Sequence, residues 1–195
     1  MAPPRILAFA GSTRAASYNK KLIRVAAKCA RDAGADVTLI DLRDFPMPLY
    51  DGDLEMEHGL PEHARRLKML MNEHSGLLIA APEYNSSITG VLKNAIDWAS
   101  RSEVDEAPLS AFRGKIAGLV ATSPGALGGL RTLLAVRGIL TSLGVLVIPE
   151  QRAIPSAASA FDQSGVLADP KTHNAVAKVA TRLTEITTRL TTTNG

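Results

Sequence analysis

Short apolar runs alternate with amphipathic segments from one end of this chain to the other, and that rhythm leaves few folds open. Residues 5–10, 36–42, 76–81, 115–121 and 145–148 are nearly continuous in hydrophobicity, the mark of strands buried on both faces. Between them the spacing is helical. Leu22, Val25, Ala26, Cys29, Ala30 and Ala33 share one face of a helix over 17–33, which Gly34 stops. A second helix over 61–73 opens on Pro61, a residue suited to a first turn. Ile88, Val91, Leu92, Ala95, Ile96 and Ala99 line a third, Leu133, Val136, Leu140 and Leu143 a fourth, and the last covers 169–190. Strands alternating with helices predict an α/β fold: a parallel sheet, helices on both faces, right-handed crossovers. A single domain over 1–195 is expected. Stretches 43–59 and 101–113 read as irregular, and 191–195 as a flexible tail.

Composition removes several classes. Charged residues make up 21% and the net charge is +3, dispersed without a basic run; aromatic residues are only 4%. A nucleic-acid groove needs clustered charge and stacking partners, so no nucleic-acid partner is expected. No apolar stretch approaches the ~20 residues that cross a bilayer, and Met-Ala-Pro-Pro-Arg does not open a signal peptide. A cytoplasmic protein with no membrane partner is expected. The one cysteine, Cys29, lies on an apolar helix face and reads as packed. His58, His63, His74 and His173 lack metal spacing and read as surface residues, so no metal is expected. Asp97 and Arg101, one turn apart, read as a surface pair, and Trp98 as an interface residue.

Ligands of parallel sheets bind beyond the carboxyl ends of the strands, so the loops after strands one, three and four carry the functional information. The first, Gly11 to Asn19, runs into a helix N-terminus, where free amides and the helix dipole favour an anion. Ser12 and Ser17 add hydroxyls, Asn19 an amide and Arg14 a cation. The loop is neither a Gly-Lys-Ser/Thr phosphate loop nor a Gly-x-Gly-x-x-Gly turn, which points to a monophosphate. The alternative is that Ser17 only caps the helix and Arg14 is solvated. In the second loop Pro82 ends the strand, and Glu83, Tyr84, Asn85, Ser86 and Ser87 leave the sheet with backbone groups and one ring available to a flat ligand. Here the alternative is capping by Glu83 and Asn85, with Tyr84 covering core. The third, Ser123 to Gly129, is glycine-rich enough for close approach of a ligand, or is an ordinary turn. A nucleotide cofactor with one phosphate and a ring system satisfies all three loops.

At these residues the sequence resembles the NADPH-dependent FMN reductase family, which includes quinone, chromate and azo-dye reductases. The matching stretches are Gly11-Ser12-x-Arg14-x-x-Ser17-x-Asn19-x-x-Leu22, Pro82-Glu83-Tyr84-Asn85-x-Ser87 continuing through Gly90 to Trp98, and Ser123-Pro124-Gly125 with Gly128-Gly129. The resemblance implies a flavodoxin-like fold with a five-stranded parallel sheet in the order 2-1-3-4-5. It implies that Ser12, Arg14, Ser17 and Asn19 hold the FMN phosphate. Pro82, Glu83, Tyr84, Asn85, Ser86 and Ser87 would line the ring and ribityl chain, and Ser123 and Gly125 would close the other side. It also implies a homodimer or homotetramer, with the helix near 130–143 and the loop 43–59 as candidate contacts. Two positions depart from the family pattern: Ser86 stands where glycine is usual, and Thr89 where proline is usual.

The expected activity is an FMN-dependent NAD(P)H oxidoreductase. Hydride passes from NADPH or NADH to flavin N5, then onward by ping-pong to a small-molecule acceptor such as a quinone, azo dye or chromate. The flavin is the reactive centre, and no side chain is assigned a catalytic role, with Tyr84 as a possible gate for the second substrate. The alternative is a flavodoxin-type electron carrier without its own NADPH oxidase activity; against it stand the basic balance of the chain and Arg14.

Overall fold

The computed structural model describes residues 2–193. Its elements are β1 (Arg5–Ala10), α1 (Tyr18–Asp32), β2 (Asp36–Asp41), α2 (Gly52–His58), α3 (Glu62–Asn72), β3 (Gly76–Ala80), β4 (Glu83–Tyr84), β5 (Ser87–Ile88), α4 (Gly90–Ala99), β6 (Ile116–Thr122), α5 (Leu130–Ser142), β7 (Leu146–Ile154), α6 (Ala157–Ala160) and α7 (Pro170–Thr193). The main sheet runs β2-β1-β3-β6-β7, all parallel, while β4 and β5 form a separate antiparallel hairpin. Counted by its own strands, the sheet has the expected order 2-1-3-4-5. Alternation of side chains along each strand divides the core in two. Ile6, Ala8, Leu78 and Val120 pack under α1 and α7, whereas Leu7, Phe9, Leu77, Ile79 and Leu119 pack under α3, α4 and α5. Every residue of β3 and β6 is buried, which is why those runs are uniformly apolar.

Several expectations are corrected. The stretch 43–59 is not wholly irregular: α2 forms within it, capped by the Asp51 carboxylate, which accepts from the Asp53 amide at 2.9 Å. Trp98 is not an interface residue. It is fully buried, its indole Nε1 donates to Pro48 O at 2.8 Å, and its ring meets Tyr50 edge-on at 5.1 Å, so the 43–59 loop folds back over α4 and covers it. His74 is buried rather than on the surface, held between Leu70 O at 2.6 Å and Thr38 Oγ1 at 2.8 Å. Asp97 and Arg101 do not pair with each other: Asp97 takes Lys93 at 2.7 Å, and Arg101 takes Glu55 at 2.9 Å. The last sheet strand extends well past 148, because β7 is an edge strand and tolerates Pro149 and polar residues beyond it. Of the tail expected over 191–195, residues 191–193 continue α7 and residues 194 and 195 lie outside the described residues. Among the described residues no helix is long and apolar enough to cross a membrane.

Candidate cofactor site

Parallel register places the three informative strand ends side by side. Ala10 of β1 pairs with Ala80 of β3, and Ala80 with Val120 of β6. The loops that follow therefore leave the sheet at one edge, and hydrogen bonds tie each to the next. The Gly11 amide donates to Ala80 O at 2.9 Å, and the Ser12 amide to Ala10 O at 2.8 Å. A Cβ at Gly11 would lie 2.9 Å from the Leu92 side chain, so the loop can pass over α4 only as glycine. Thr89 bridges the first two loops: its hydroxyl donates to Gly11 O at 2.6 Å and accepts from the Leu92 amide at 3.2 Å, capping α4. Asn19 bridges the first and third. Its Nδ2 donates to Thr122 O at 2.8 Å and its Oδ1 accepts from the Thr122 amide at 3.1 Å. The second loop is held to α5, where Glu83 accepts from the Arg131 guanidinium Nε at 2.7 Å, and Thr132 Oγ1 donates to Pro82 O at 3.1 Å. On the far side Thr122 Oγ1 donates to Ile154 O at 2.9 Å, and the Ala157 amide to Ser123 O at 3.1 Å.

The first loop is built to attract an anion. The first turn of α1 carries no acidic residue, and Ser17, its N-cap, makes no side-chain cap hydrogen bond. The capping alternative for Ser17 is thus absent, and its hydroxyl stays available although the residue is buried. Arg14 is exposed, and among the described residues its side chain makes no ion pair; its amide donates to Ser12 Oγ at 3.3 Å. Both functional atoms of the Asn19 amide bond Thr122, which leaves it one N–H for a ligand. It acts first as a clamp.

The second loop is the β4–β5 hairpin. Asn85 and Ser86 form its two-residue turn with φ of +50° and +65°, the left-handed backbone typical of a type I′ turn. Tyr84 is 54% exposed, so it does not cover core. Neither Glu83 nor Asn85 caps α4, since Thr89 does, and the Glu83 carboxylate pairs instead with Arg131. In the third loop a Cβ at Gly128 would fall 2.4 Å from Ile154 C, which fixes glycine there by close backbone approach. Ser123 and Gly125 stand at the open rim. Thr89, Thr122, Arg131 and Thr132 were not singled out by the sequence as site residues. Only Thr89 carries a local signal, a hydroxyl residue directly before a helical apolar period.

Hydroxyls, a helix N-terminus free of acid and an unpaired arginine form a donor set suited to a single phosphate, and the adjoining hairpin offers backbone groups to a ring. FMN fits this arrangement. The sequence profile of the NADPH-dependent FMN reductases matches residues 4–159. The chain belongs to that family. An NAD(P)H-dependent FMN reductase of Pseudomonas aeruginosa is 36% identical over 168 residues, 86% of each chain. A quinone reductase of Pseudomonas putida is 38% identical over 161 residues, 82% of each. Among solved structures, the flavoenzyme NAD(P)H:(acceptor) oxidoreductase of Paracoccus denitrificans superposes with a TM-score of 0.81 at 28% identity, covering 95% of this chain and 98% of that one. The resemblance drawn from the loops and the order of the sheet agree with that family. No group of three or more His, Cys, Asp or Glu able to hold a metal occurs among the described residues.

Proposed function

We infer that this chain is an FMN-dependent NAD(P)H oxidoreductase that passes electrons to a small-molecule acceptor of the quinone class. The carrying observation is the convergence of three cross-clamped loops on an acid-free helix N-terminus, in a chain of the FMN reductase family. Ser12, Arg14 and Ser17 would hold the FMN phosphate, with the remaining N–H of Asn19. Pro82, Glu83, Tyr84, Asn85, Ser86 and Ser87 would border the ring and ribityl chain on one side, and Ser123 and Gly125 on the other. When bound, FMN supplies the acceptor for nicotinamide hydride and the donor for the second substrate.

The chain's own residues bind and orient. Backbone N–H groups left unbonded in the hairpin and third loop would stabilise negative charge on a reduced ring. Glu83 acts through Arg131, holding the hairpin against α5. Tyr84, exposed at the hairpin, would orient the second substrate. The reading extends to a homodimer or homotetramer in the cytoplasm. Exposed Leu130 and Leu134 on α5, and Leu49 and Met56 around α2, support contacts at the two candidate surfaces.

Titrating the purified protein with FMN and following nicotinamide oxidation with a quinone tests the reading. Tight flavin binding with turnover is expected. Flavin binding without oxidation of either nicotinamide would indicate an electron carrier, and no flavin binding a scaffold. Arg14→Ala removes a charge-assisted bond and should weaken FMN binding about tenfold or more. An unchanged dissociation constant would remove Arg14 from the phosphate site.

A further inference from the structure

The solvent face of α1 carries nearly one sign of charge. Arg24, Lys28 and Arg31 are exposed, Lys21 is half-buried in the same row, and Asp32 is their one acid. Arg31 is engaged by Val37 O at 2.7 Å. The other three cations form one wall of a cleft of about 310 Å³, whose far side is the 163–166 turn and His173 near the start of α7. Their binding capacity is largely unspent. Arg24 makes no ion pair or hydrogen bond among the described residues. Nor does Lys21, whose ammonium lies 6.0 Å and 5.9 Å from the ring centres of Tyr18 and Phe161, two rings stacked on each other. Lys28 pairs with Asp32 at 2.6 Å, but both side chains are well exposed, and such a pair yields readily to a stronger anion. No carboxylate lines the cleft among the described residues. Asp162, at the foot of the turn, spends its Oδ1 on the turn itself, accepting from the Ser164 amide at 2.9 Å, the Ser164 hydroxyl at 2.7 Å and the Val166 amide at 3.0 Å. The wall opposite the cations is thereby fixed. It offers the exposed Gln163 amide and the His173 ring, whose Nε2 rests 4.0 Å from Cys29 Sγ.

The spacing of the cations narrows the ligand. A helix rises about 1.5 Å per residue, so Lys21 and Arg24 stand about 4.5 Å apart along its axis, and Arg24 and Lys28 about 6 Å. A lone phosphate meets one or two of these groups, whereas phosphoryl groups linked in series meet all three. The location separates this cleft from the cofactor's ring. α1 and α7 cover the face of the sheet opposite α5, and it is α5 that holds the β4–β5 hairpin. We propose that this cleft binds a soluble anion of two or three linked phosphoryl groups, a ligand separate from both FMN and the nicotinamide nucleotide, through Lys21, Arg24 and Lys28.

The test is calorimetry in magnesium-free buffer, with FMN in excess so that the phosphate loop is occupied, using inorganic tripolyphosphate and orthophosphate as probes. The wild type should bind tripolyphosphate about tenfold or more tightly than orthophosphate, with an affinity that falls as salt is raised. Lys21→Gln/Arg24→Gln/Lys28→Gln should lose about tenfold or more of that affinity at an unchanged denaturant midpoint, since all three side chains reach solvent. Asp32→Asn, which releases Lys28, should bind tripolyphosphate more tightly. Absent tripolyphosphate binding, no preference over orthophosphate, or an affinity that survives in the triple variant would overturn the proposal. Displacement of tripolyphosphate by NADPH would also overturn it, by making the cleft part of the co-substrate's site. Sedimentation with phosphatidylglycerol–phosphatidylcholine vesicles distinguishes the remaining source of phosphate: a protein that binds these vesicles but not tripolyphosphate would assign the cations to a lipid surface instead.

Discussion

Asn85 and Ser86 sit at φ of +50° and +65°, a backbone that glycine adopts freely and a serine adopts at a cost of roughly 1–2 kcal/mol. Glycine in the unfolded chain returns about 0.5–1 kcal/mol of that in entropy. Ser86→Gly should therefore stabilise the protein by about 0.5–1 kcal/mol, read as a higher denaturant midpoint at constant slope. A lower midpoint would mean that the Ser86 side chain makes a stabilising contact. Thr89 presents the opposite case. Its hydroxyl caps α4 and satisfies the buried Gly11 carbonyl, so one side chain serves two backbone groups. Thr89→Val keeps the shape and removes both bonds, at about 1 kcal/mol for the cap and about 1–3 kcal/mol for the orphaned carbonyl. A loss of about 2–4 kcal/mol is expected, with weaker FMN binding, and Thr89→Ser should restore most of both. Full FMN affinity in a destabilised Thr89→Val would show that this bond supports the fold and not the loop.

The strands and main helices are legible because burial on both faces demands uniform apolar runs, and one-sided burial demands the helical period. Where packing follows other rules, legibility ends. α2 buries no residue, so no apolar period marks it, and β7 continues along an open edge where polar residues are tolerated. The candidate site divides the same way. The anion-loving loop is readable from residue types alone, whereas Asn19–Thr122 and Glu83–Arg131 join residues 103 and 48 positions apart, which no local pattern encodes. The stretch 101–113 belongs to this second kind. It reads as a featureless polar loop, yet buried Lys68 reaches into it to bond Glu106 and Arg101 O. Burial would raise the Glu106 pKa, but hydrogen bonds from Lys68, Ser110 and the Glu103 amide outweigh it and bring it down from 4.5 to about 2. A carboxyl lowered on folding stabilises above its unfolded pKa, and that contribution is lost as pH falls through the folded one. Stability should therefore decline between pH 4.5 and about 2. Glu106→Gln should flatten that decline and lower stability at neutral pH, because Lys68 is left buried without its carboxylate. Parallel pH profiles for the two proteins would show that the pair does not govern the acid limb.

Across the whole molecule the two edges of the sheet are given to different tasks. The carboxyl edge carries the loops and the left-handed turn. The amino edge carries Lys115, buried just before β6, with its ammonium donating to His74 O at 2.7 Å and no carboxylate beside it among the described residues. Burial alone lowers its pKa from 10.5 to about 8. The sign follows from proton counting. Between pH 8 and 10.5 the folded chain has released this proton while the unfolded chain still holds it, so stability rises with pH across that window. Below pH 8 both states are charged, and the native state bears the full desolvation penalty. Lys115→Met removes the ammonium and keeps most of the stem, so it should abolish the alkaline rise in denaturant midpoint. The six or so residues of each strand separate Lys115 from the loops by about 20 Å. FMN affinity should accordingly stay unchanged in Lys115→Met, even as the stability profile loses its slope. A variant whose midpoint still climbs between pH 8 and 10.5 would assign that titration to another group, and a variant that binds FMN more weakly would show that the two edges are coupled through the sheet.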